Sequence, residues 1–139
     1  MTVKEAKEYL GQAFYLDRRI NLDITKIESM KTSLYGRGVN YEKDVTQHVS
    51  GDNSVENAIC KVLDYEKQIN KEIDELIDKK FEIEKSIKSL SDAKLREVLT
   101  RRYLLFQKFE RISIEMHLEL RWVYRLHKRA LSEIAIVDH

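Results

Sequence analysis

The 139-residue sequence contains no proline, only four glycines and a single cysteine. Proline and glycine are the residues that most often end helices, so their scarcity removes most of the interruptions that a helix could meet. Charged residues make up 35% of the chain, which suits the solvated faces of long helices. The composition therefore favours a protein built from long helices.

The single cysteine, Cys60, excludes an internal disulfide bond and favours a reducing compartment. It lies among apolar residues in a helical pattern, so we expect a small buried side chain. No apolar run is long enough to span a membrane, and the first residues, MTVKEAKEYL, are charged from Lys4 onward, unlike a signal peptide. These features predict a cytoplasmic protein.

Positive charge is concentrated near the C-terminus. Residues 93–131 contain ten Lys or Arg and four Glu, whereas the whole chain has a net charge of only +1. Basic charge gathered on one segment is what neutralisation of nucleic-acid phosphates requires.

The basic region contains a stretch, Phe109–Leu131, with the pattern of two helices separated by a short break. Ile112 and Met116 place apolar side chains on one face of the first helix, and Val123 and Leu126 begin an apolar stripe in the second. The segment MHLE between them is short enough to turn one helix across the other. This arrangement predicts a helix-turn-helix, whose second helix lies in the DNA major groove.

Two longer helices are predicted before this motif, from apolar residues that recur every seven positions. In the first helix, at about residues 3–34, the row consists of Ala6, Ala13, Ile20, Ile27 and Leu34. In the second, at about residues 54–90, it consists of Val55, Val62, Ile69, Leu76, Ile83 and Leu90. The two helices pair either with each other in an antiparallel hairpin or, for the second, with its copy in a dimer.

The segment at about 35–53 between the long helices has turn residues and no sustained period, so we interpret it as a flexible connection. Asp92 can cap a third helix that runs from Ala93 to about Leu105. The predicted fold is all-α: a long antiparallel helical hairpin, a coiled-coil-like arm, over residues 1–90, followed by a small helix-turn-helix DNA-binding domain over residues 91–139.

The motif resembles region four of bacterial sigma factors in the letters RIS at 111–113, MHLE at 116–119, Val123, and HKRAL at 127–131. His117 stands where that family has a turn glycine, and Glu119 where it has a capping Ser or Thr. We therefore expect His117 to adopt the left-handed conformation.

Nearly the whole chain resembles a family of unknown function encoded by phages and prophages of Gram-positive bacteria, whose C-terminal half is sigma-like. The strings VSGDNSVENAICKVLDYEKQIN, LREVLTRRYL and RWVYRLHKRAL carry this resemblance. The resemblance implies a small phage or prophage regulator of transcription, acting in the cytoplasm of a bacterial host cell.

The second helix of the motif has no acidic residue from Leu120 to Leu131. Arg121 and Arg125 lie four residues apart near its N-terminal half, where arginine reaches guanine edges, so we predict that both contact bases. The residues predicted to contact the DNA backbone are Tyr124, Lys128, Arg129, Arg101 and Arg102. Surface charge without DNA contact is the alternative for all of these cations.

Trp122 takes a position that is usually polar in sigma factors. We predict that it packs against the first helix of the motif or a neighbouring subunit, because a buried aromatic side chain supplies a large contact area. The four histidines have no zinc-site spacing, and no catalytic constellation or phosphate-binding loop is evident. No metal, cofactor or enzymatic activity is predicted.

The preferred hypothesis is sequence-specific binding of double-stranded DNA in transcription regulation, by a homodimer that involves the helix Val55–Leu90. The alternative is a protein-interaction adaptor, in which the heptad arm binds host RNA polymerase or another transcription factor. A steep salt dependence of DNA binding distinguishes the two.

Overall fold

The computed structural model describes residues 1–35 and 54–137, so the predicted connection at about 35–53 lies, apart from Tyr35, outside the described residues. The α-helices of the described part are α1 (Val3–Leu10), α2 (Gln12–Tyr35), α3 (Ser54–Lys88), α4 (Ala93–Leu99), α5 (Phe109–Met116) and α6 (Leu120–Val137). A π-helical turn, Thr100–Leu104, follows α4. These two stretches contain no β-strand, which confirms the all-α prediction.

The N-terminal helix is interrupted where the sequence predicted a continuous one. Thr2 caps α1 by accepting a hydrogen bond from the Glu5 amide at 3.1 Å, and the Glu5 carboxylate accepts one from the Thr2 amide at 3.2 Å. The helix stops at Gly11, whose amide donates to the Lys7 carbonyl at 2.9 Å. A Cβ atom at Gly11 would lie only 3.2 Å from that oxygen. A larger residue at this position would therefore crowd the Lys7 carbonyl.

The chain divides into two compact units, which we call the larger unit (Met1–Asp17 with Glu75–His139) and the smaller unit (Arg18–Asp74). In the larger unit α6 is the central helix, and α1, α4 and α5 all pack against it. The predicted division into residues 1–90 and 91–139 stays a prediction, because contacts within the folded chain do not show which segments fold independently.

In the smaller unit α2 and α3 run antiparallel. The Tyr65 hydroxyl donates to Asp23 at 3.2 Å, and Arg19, earlier in α2, lies 4.0 Å from Glu72, later in α3. Between them Ile20 and Ile69 are buried. In this unit the heptad-row residues Val62 and Ile69 of α3 therefore face α2 of the same chain.

Cys60 is exposed, so the prediction of a buried cysteine was wrong. Ile59 and Val62 occupy the inward positions of this part of α3 and are partly or fully buried. Cys60 follows Ile59 by one residue, which rotates it by about 100° around the helix axis and away from α2.

The helix-turn-helix break lies where the sequence predicted it. Helix α5 ends at Met116, and His117 adopts the left-handed conformation with φ 55° and ψ 41°. The Leu118 amide donates to the Ser113 carbonyl at 3.0 Å, which closes the turn before α6 begins at Leu120. Over the two described stretches, every helix is too short or too polar to cross a lipid bilayer.

Candidate nucleic-acid interface

Helix α6 has one buried face and one basic face. Its buried residues are Val123, His127, Ala130, Leu131, Ile134 and Ala135. At 3.6 residues per turn, Arg121, Arg125 and Lys128 fall on the opposite side from Val123, and all three are exposed. The predicted apolar stripe and the predicted DNA-contacting cations thus lie on two different faces of the same helix.

The two arginines predicted to contact bases are held only loosely. Arg121 Nε lies 3.2 Å from Glu119 Oε2, in an ion pair whose arginine side chain is 74% exposed. The Arg125 guanidinium lies over the Trp122 ring at 5.3 Å from the ring centroid. Exposed contacts of this kind contribute little stability. The two guanidinium groups can therefore leave these contacts without destabilising the fold.

The predicted backbone contacts on α6 surround the two arginines. Lys128 is exposed, and Arg129 pairs with Glu133, one turn later, at 3.6 Å. The Tyr124 ring packs on Phe109 of α5 with centroids 4.9 Å apart, while the side chain stays partly accessible. Tyr124 therefore links α5 to the exposed edge of α6.

Arg101 and Arg102 lie on the π-helical turn and make contacts within the protein. Arg101 Nε lies 2.8 Å from Glu97 Oε2. Arg102 donates from Nη1 to the Gln107 carbonyl at 3.0 Å, and its guanidinium carbon lies 4.3 Å from the Phe109 ring centroid. These contacts hold the chain between the π-helical turn and α5, and DNA-backbone contact by the two residues stays a prediction.

Trp122 is 48% exposed. At 3.6 residues per turn it lies to one side of the line through Arg121 and Arg125. Its ring contact with Arg125 is an exposed cation–π pair. Packing of Trp122 against a neighbouring subunit stays a prediction.

A buried pair that the sequence analysis missed connects α6 to the π-helical turn. The Tyr103 hydroxyl lies 2.6 Å from His127 Nε2, and the two rings stack with centroids 5.6 Å apart. Phe109 packs edge-on against His127 at 4.9 Å. His127 lies one turn after Val123 on the apolar face of α6, and that spacing was the available signal in the sequence.

Burial controls the titration of this pair. Burial, together with the positive charges of Lys7 and Arg102, lowers the pKa of His127 from 6.5 to about 4. Burial also raises the pKa of Tyr103 to about 12. Both side chains are therefore neutral at physiological pH, and the hydrogen bond between them satisfies polar groups inside the core.

In the parts of the chain that the structure describes, no three His, Cys, Asp or Glu side chains come together as a metal site. The profile of a family described as "Protein of unknown function (DUF1492)" matches residues 40–135 of the sequence. Comparisons with curated proteins and with solved structures found no match. The family match includes the π-helical turn, α5 and all but the last residues of α6.

Proposed function

The chain belongs to the DUF1492 family, and we propose that it binds double-stranded DNA through the exposed face of α6 that carries Arg121, Arg125 and Lys128. The observation that carries this proposal is the separation of faces on α6. One side is buried among α1, α4 and α5, and the other offers exposed cations at the spacing of successive helical turns.

The geometry before α6 supports the same proposal. The left-handed His117 ends α5 and lets α6 start within three residues. A short turn of this kind presents the second helix of a helix-turn-helix to the major groove, with its N-terminal residues nearest the bases. Arg121 and Arg125 occupy that part of α6, so we assign base contacts to them and backbone contacts to Tyr124, Lys128 and Arg129.

The test is a salt titration of binding to duplex DNA, followed by fluorescence anisotropy. Each phosphate contact should contribute about 0.9 to the negative slope of log K against log salt. Replacing Arg121, Arg125 and Lys128 together by Ala should abolish measurable binding. The matched control replaces three exposed cations of the smaller unit by Ala: Arg18, Lys67 and Lys71. Equal losses in both triple variants would show that binding follows net charge and not the α6 face.

We infer a role in transcription regulation from the resemblance of the motif to sigma factor region four. The resemblance of nearly the whole chain to a phage- and prophage-encoded family supports a role in the cytoplasm of a bacterial host, on behalf of a phage or prophage. A bound site would be identified by selection from a random duplex library. Recovery of no shared sequence would limit the proposal to binding without sequence preference.

We also propose a homodimer. Because Val62 and Ile69 of the α3 heptad row face α2 in the same chain, the second copy would pack on the opposite, outer side of α3. Ile77 and Phe81 lie one turn apart on α3 and are 46% and 66% exposed. Two copies would present two α6 helices to half-sites about one DNA turn apart. Sedimentation equilibrium should show a dimer for the wild-type protein and a monomer for Phe81→Glu. A wild-type monomer would contradict the dimer and leave DNA binding by one head intact.

The alternative function, a protein-interaction adaptor, is favoured by a groove in the smaller unit. Met30, Leu34, Val62 and Tyr65 are among the residues that line this cavity of about 540 Å³. An apolar groove between two helices suits a helix of RNA polymerase or of another transcription factor. Binding of RNA polymerase that persists in the triple α6 variant and is lost in Met30→Glu would support the adaptor.

A further inference from the structure

A second cavity lies inside the larger unit, away from the exposed face of α6. Its volume is about 380 Å³, within the range of roughly 300–1,000 Å³ that small-molecule sites occupy. One wall is a single face of α1 and the start of α2, from Lys4 to Tyr15, and the other is formed by Arg102 and Tyr103 of the π-helical turn. Short π-helical segments are frequent at functional sites.

The walls of this cavity are positively charged. Lys4, Lys7 and Arg102 contribute three cations, against the single carboxylate of Glu8. Among the described residues neither Lys4 nor Lys7 has a carboxylate within ion-pair distance. Arg102 uses one N–H for the Gln107 carbonyl, and a guanidinium has five such donors. The cavity therefore offers uncompensated donors to an anion.

The rest of the lining is aromatic. Phe14 and Tyr15 meet edge to face with ring centroids 5.7 Å apart, and they remain 39% and 70% exposed. Tyr103 supplies a third ring, and Gly11 has no side chain to fill the space between the walls. Exposed aromatic rings beside unpaired cations form a surface that is complementary to a ring carrying a negative charge.

We propose that this cavity binds a small aromatic carboxylate, with the ring packed on Phe14 and Tyr15 and the carboxylate facing Lys7 and Arg102. A carboxylate matches the planar guanidinium, which can donate two parallel hydrogen bonds to it. A single carboxylate also suits walls that carry three cations and one anion. The volume excludes a folded partner segment and fits a molecule of one or two rings.

The ligand would lie one side chain away from α6. Tyr103 lines the cavity and its hydroxyl contacts His127, so occupation of the site should be visible in the His127 ring signals. The cavity shares no residue with the exposed cations Arg121, Arg125 and Lys128. Ligand binding and DNA binding are therefore separate measurements, and either can fail without the other.

The experiment titrates the full-length protein with sodium benzoate, exchanged for sodium chloride so that the sodium concentration stays constant. In proton–nitrogen NMR spectra we expect saturable shifts confined to α1, the start of α2, Arg102, Tyr103 and His127, with Kd of about 1 mM as for a small weak ligand. Benzamide, which keeps the ring without the charge, should bind at least about tenfold more weakly. Shifts that do not saturate, or that benzamide reproduces equally, would overturn the proposal.

Variants then locate the site. Lys7→Met keeps the length of the side chain and removes its charge, so it should weaken benzoate binding about tenfold, whereas Lys7→Arg should retain it. Lys94→Met is the matched control, because Lys94 is exposed on α4 and does not line the cavity. Both positions are on the surface, so circular dichroism should show unchanged folding for all three variants. Equal effects of Lys7→Met and Lys94→Met would mean that benzoate senses only the overall charge.

Discussion

The larger and the smaller unit bury their apolar side chains to different depths. The largest fully buried side chains all belong to the larger unit: Leu10, Ile83, Ile87, Leu95, Leu99, Ile112, Ile134, Val98 and Val123. In the smaller unit the seam residues Ile20, Ile27, Val62 and Ile69 keep between 3% and 9% of their surface accessible. Helices that surround α6 from several sides enclose side chains completely, whereas two helices can cover only a stripe on each other.

The two units also differ in whether a buried polar side chain finds a hydrogen-bond partner. In the larger unit Tyr103 satisfies His127. In the smaller unit Glu72 is buried beside Asp23, and its Oε2 has no hydrogen-bond partner in the described structure. Burial raises the pKa of Glu72, as does the neighbouring Asp23. Burial would raise the pKa of Asp23 too, but hydrogen bonds from Glu72 and Tyr65 and the charge of Lys26 lower it overall. The two pKa values are thus shifted in opposite directions, so Glu72 binds a proton more readily than Asp23.

The largest expected effect compares the two cores directly. Val123→Asp places a carboxylate where the side chain is fully buried, and should reduce the free energy of unfolding of the larger unit by about 4 kcal/mol or more. Val62→Asp is the matched change in the smaller unit and should cost about 1–2 kcal/mol, because the carboxylate there can reach water. Urea unfolding with hydrogen exchange of α6 and α3 amides measures both. Equal reductions in the free energy of unfolding would mean that the α2–α3 seam excludes water as completely as the core around α6.

The next effect is an acid sensitivity that belongs to the larger unit. The folded-state pKa of His127 is about 4, below its ordinary 6.5, so its contribution to stability is complete above pH 6.5 and falls as the pH drops towards 4. At about 1.4 kcal/mol for each pH unit, the loss approaches about 3 kcal/mol. His127→Gln cannot titrate and serves as the control in urea unfolding at a series of pH values. Parallel pH profiles for the two proteins would contradict this assignment.

A third effect separates the proposed DNA-binding face of α6 from the rest of the molecule. Arg125→Ala should weaken binding to the preferred duplex by about 1–3 kcal/mol and binding to random DNA much less, whereas Lys128→Ala should weaken both alike and lower the salt slope by about one. Arg19→Ala, an exposed arginine of the smaller unit, should change neither affinity. Paired affinities at several salt concentrations measure this. If Arg125→Ala lowers both affinities equally, Arg125 contacts only the backbone.

The smallest effect is a gain in the smaller unit. Because the pKa of Glu72 is raised, this group favours the folded state at acid pH and loses that contribution as the pH rises through its folded-state pKa. Glu72→Gln keeps a hydrogen-bond donor for Asp23 without the charge, and should raise the free energy of unfolding at neutral pH by about 1 kcal/mol. Glu66→Gln, which breaks the more exposed pair with Lys31, should not stabilise. A destabilised Glu72→Gln would contradict this expectation and show that the Glu72 carboxylate, 4.0 Å from Arg19, favours the folded protein.

The sequence by itself determined the all-α fold, the turn at His117 and the division of α6 into an apolar and a basic face, but not the interruption of the N-terminal helix at Gly11. These features depend on residues within a few positions of each other, since helical periodicity brings residues three and four apart onto one face. The burial of Val123 and the exposure of Arg125 follow from that spacing alone. For the same reason the heptad rows predicted that α2 and α3 pair, but left open whether they do so within one chain.

Only the tertiary structure decided which helices pack their apolar faces against each other. It placed α1 against α6, turned Val62 and Ile69 of α3 towards α2 and left Cys60 exposed. The end of the third predicted helix is a π-helical turn. Phe106, two residues after that turn, lies in the left-handed region at φ 57°. Tyr103 and His127 are separated by 24 residues, and no local pattern indicates that they meet. Contacts between distant segments depend on how several apolar faces are covered together, which periodicity within one helix does not specify.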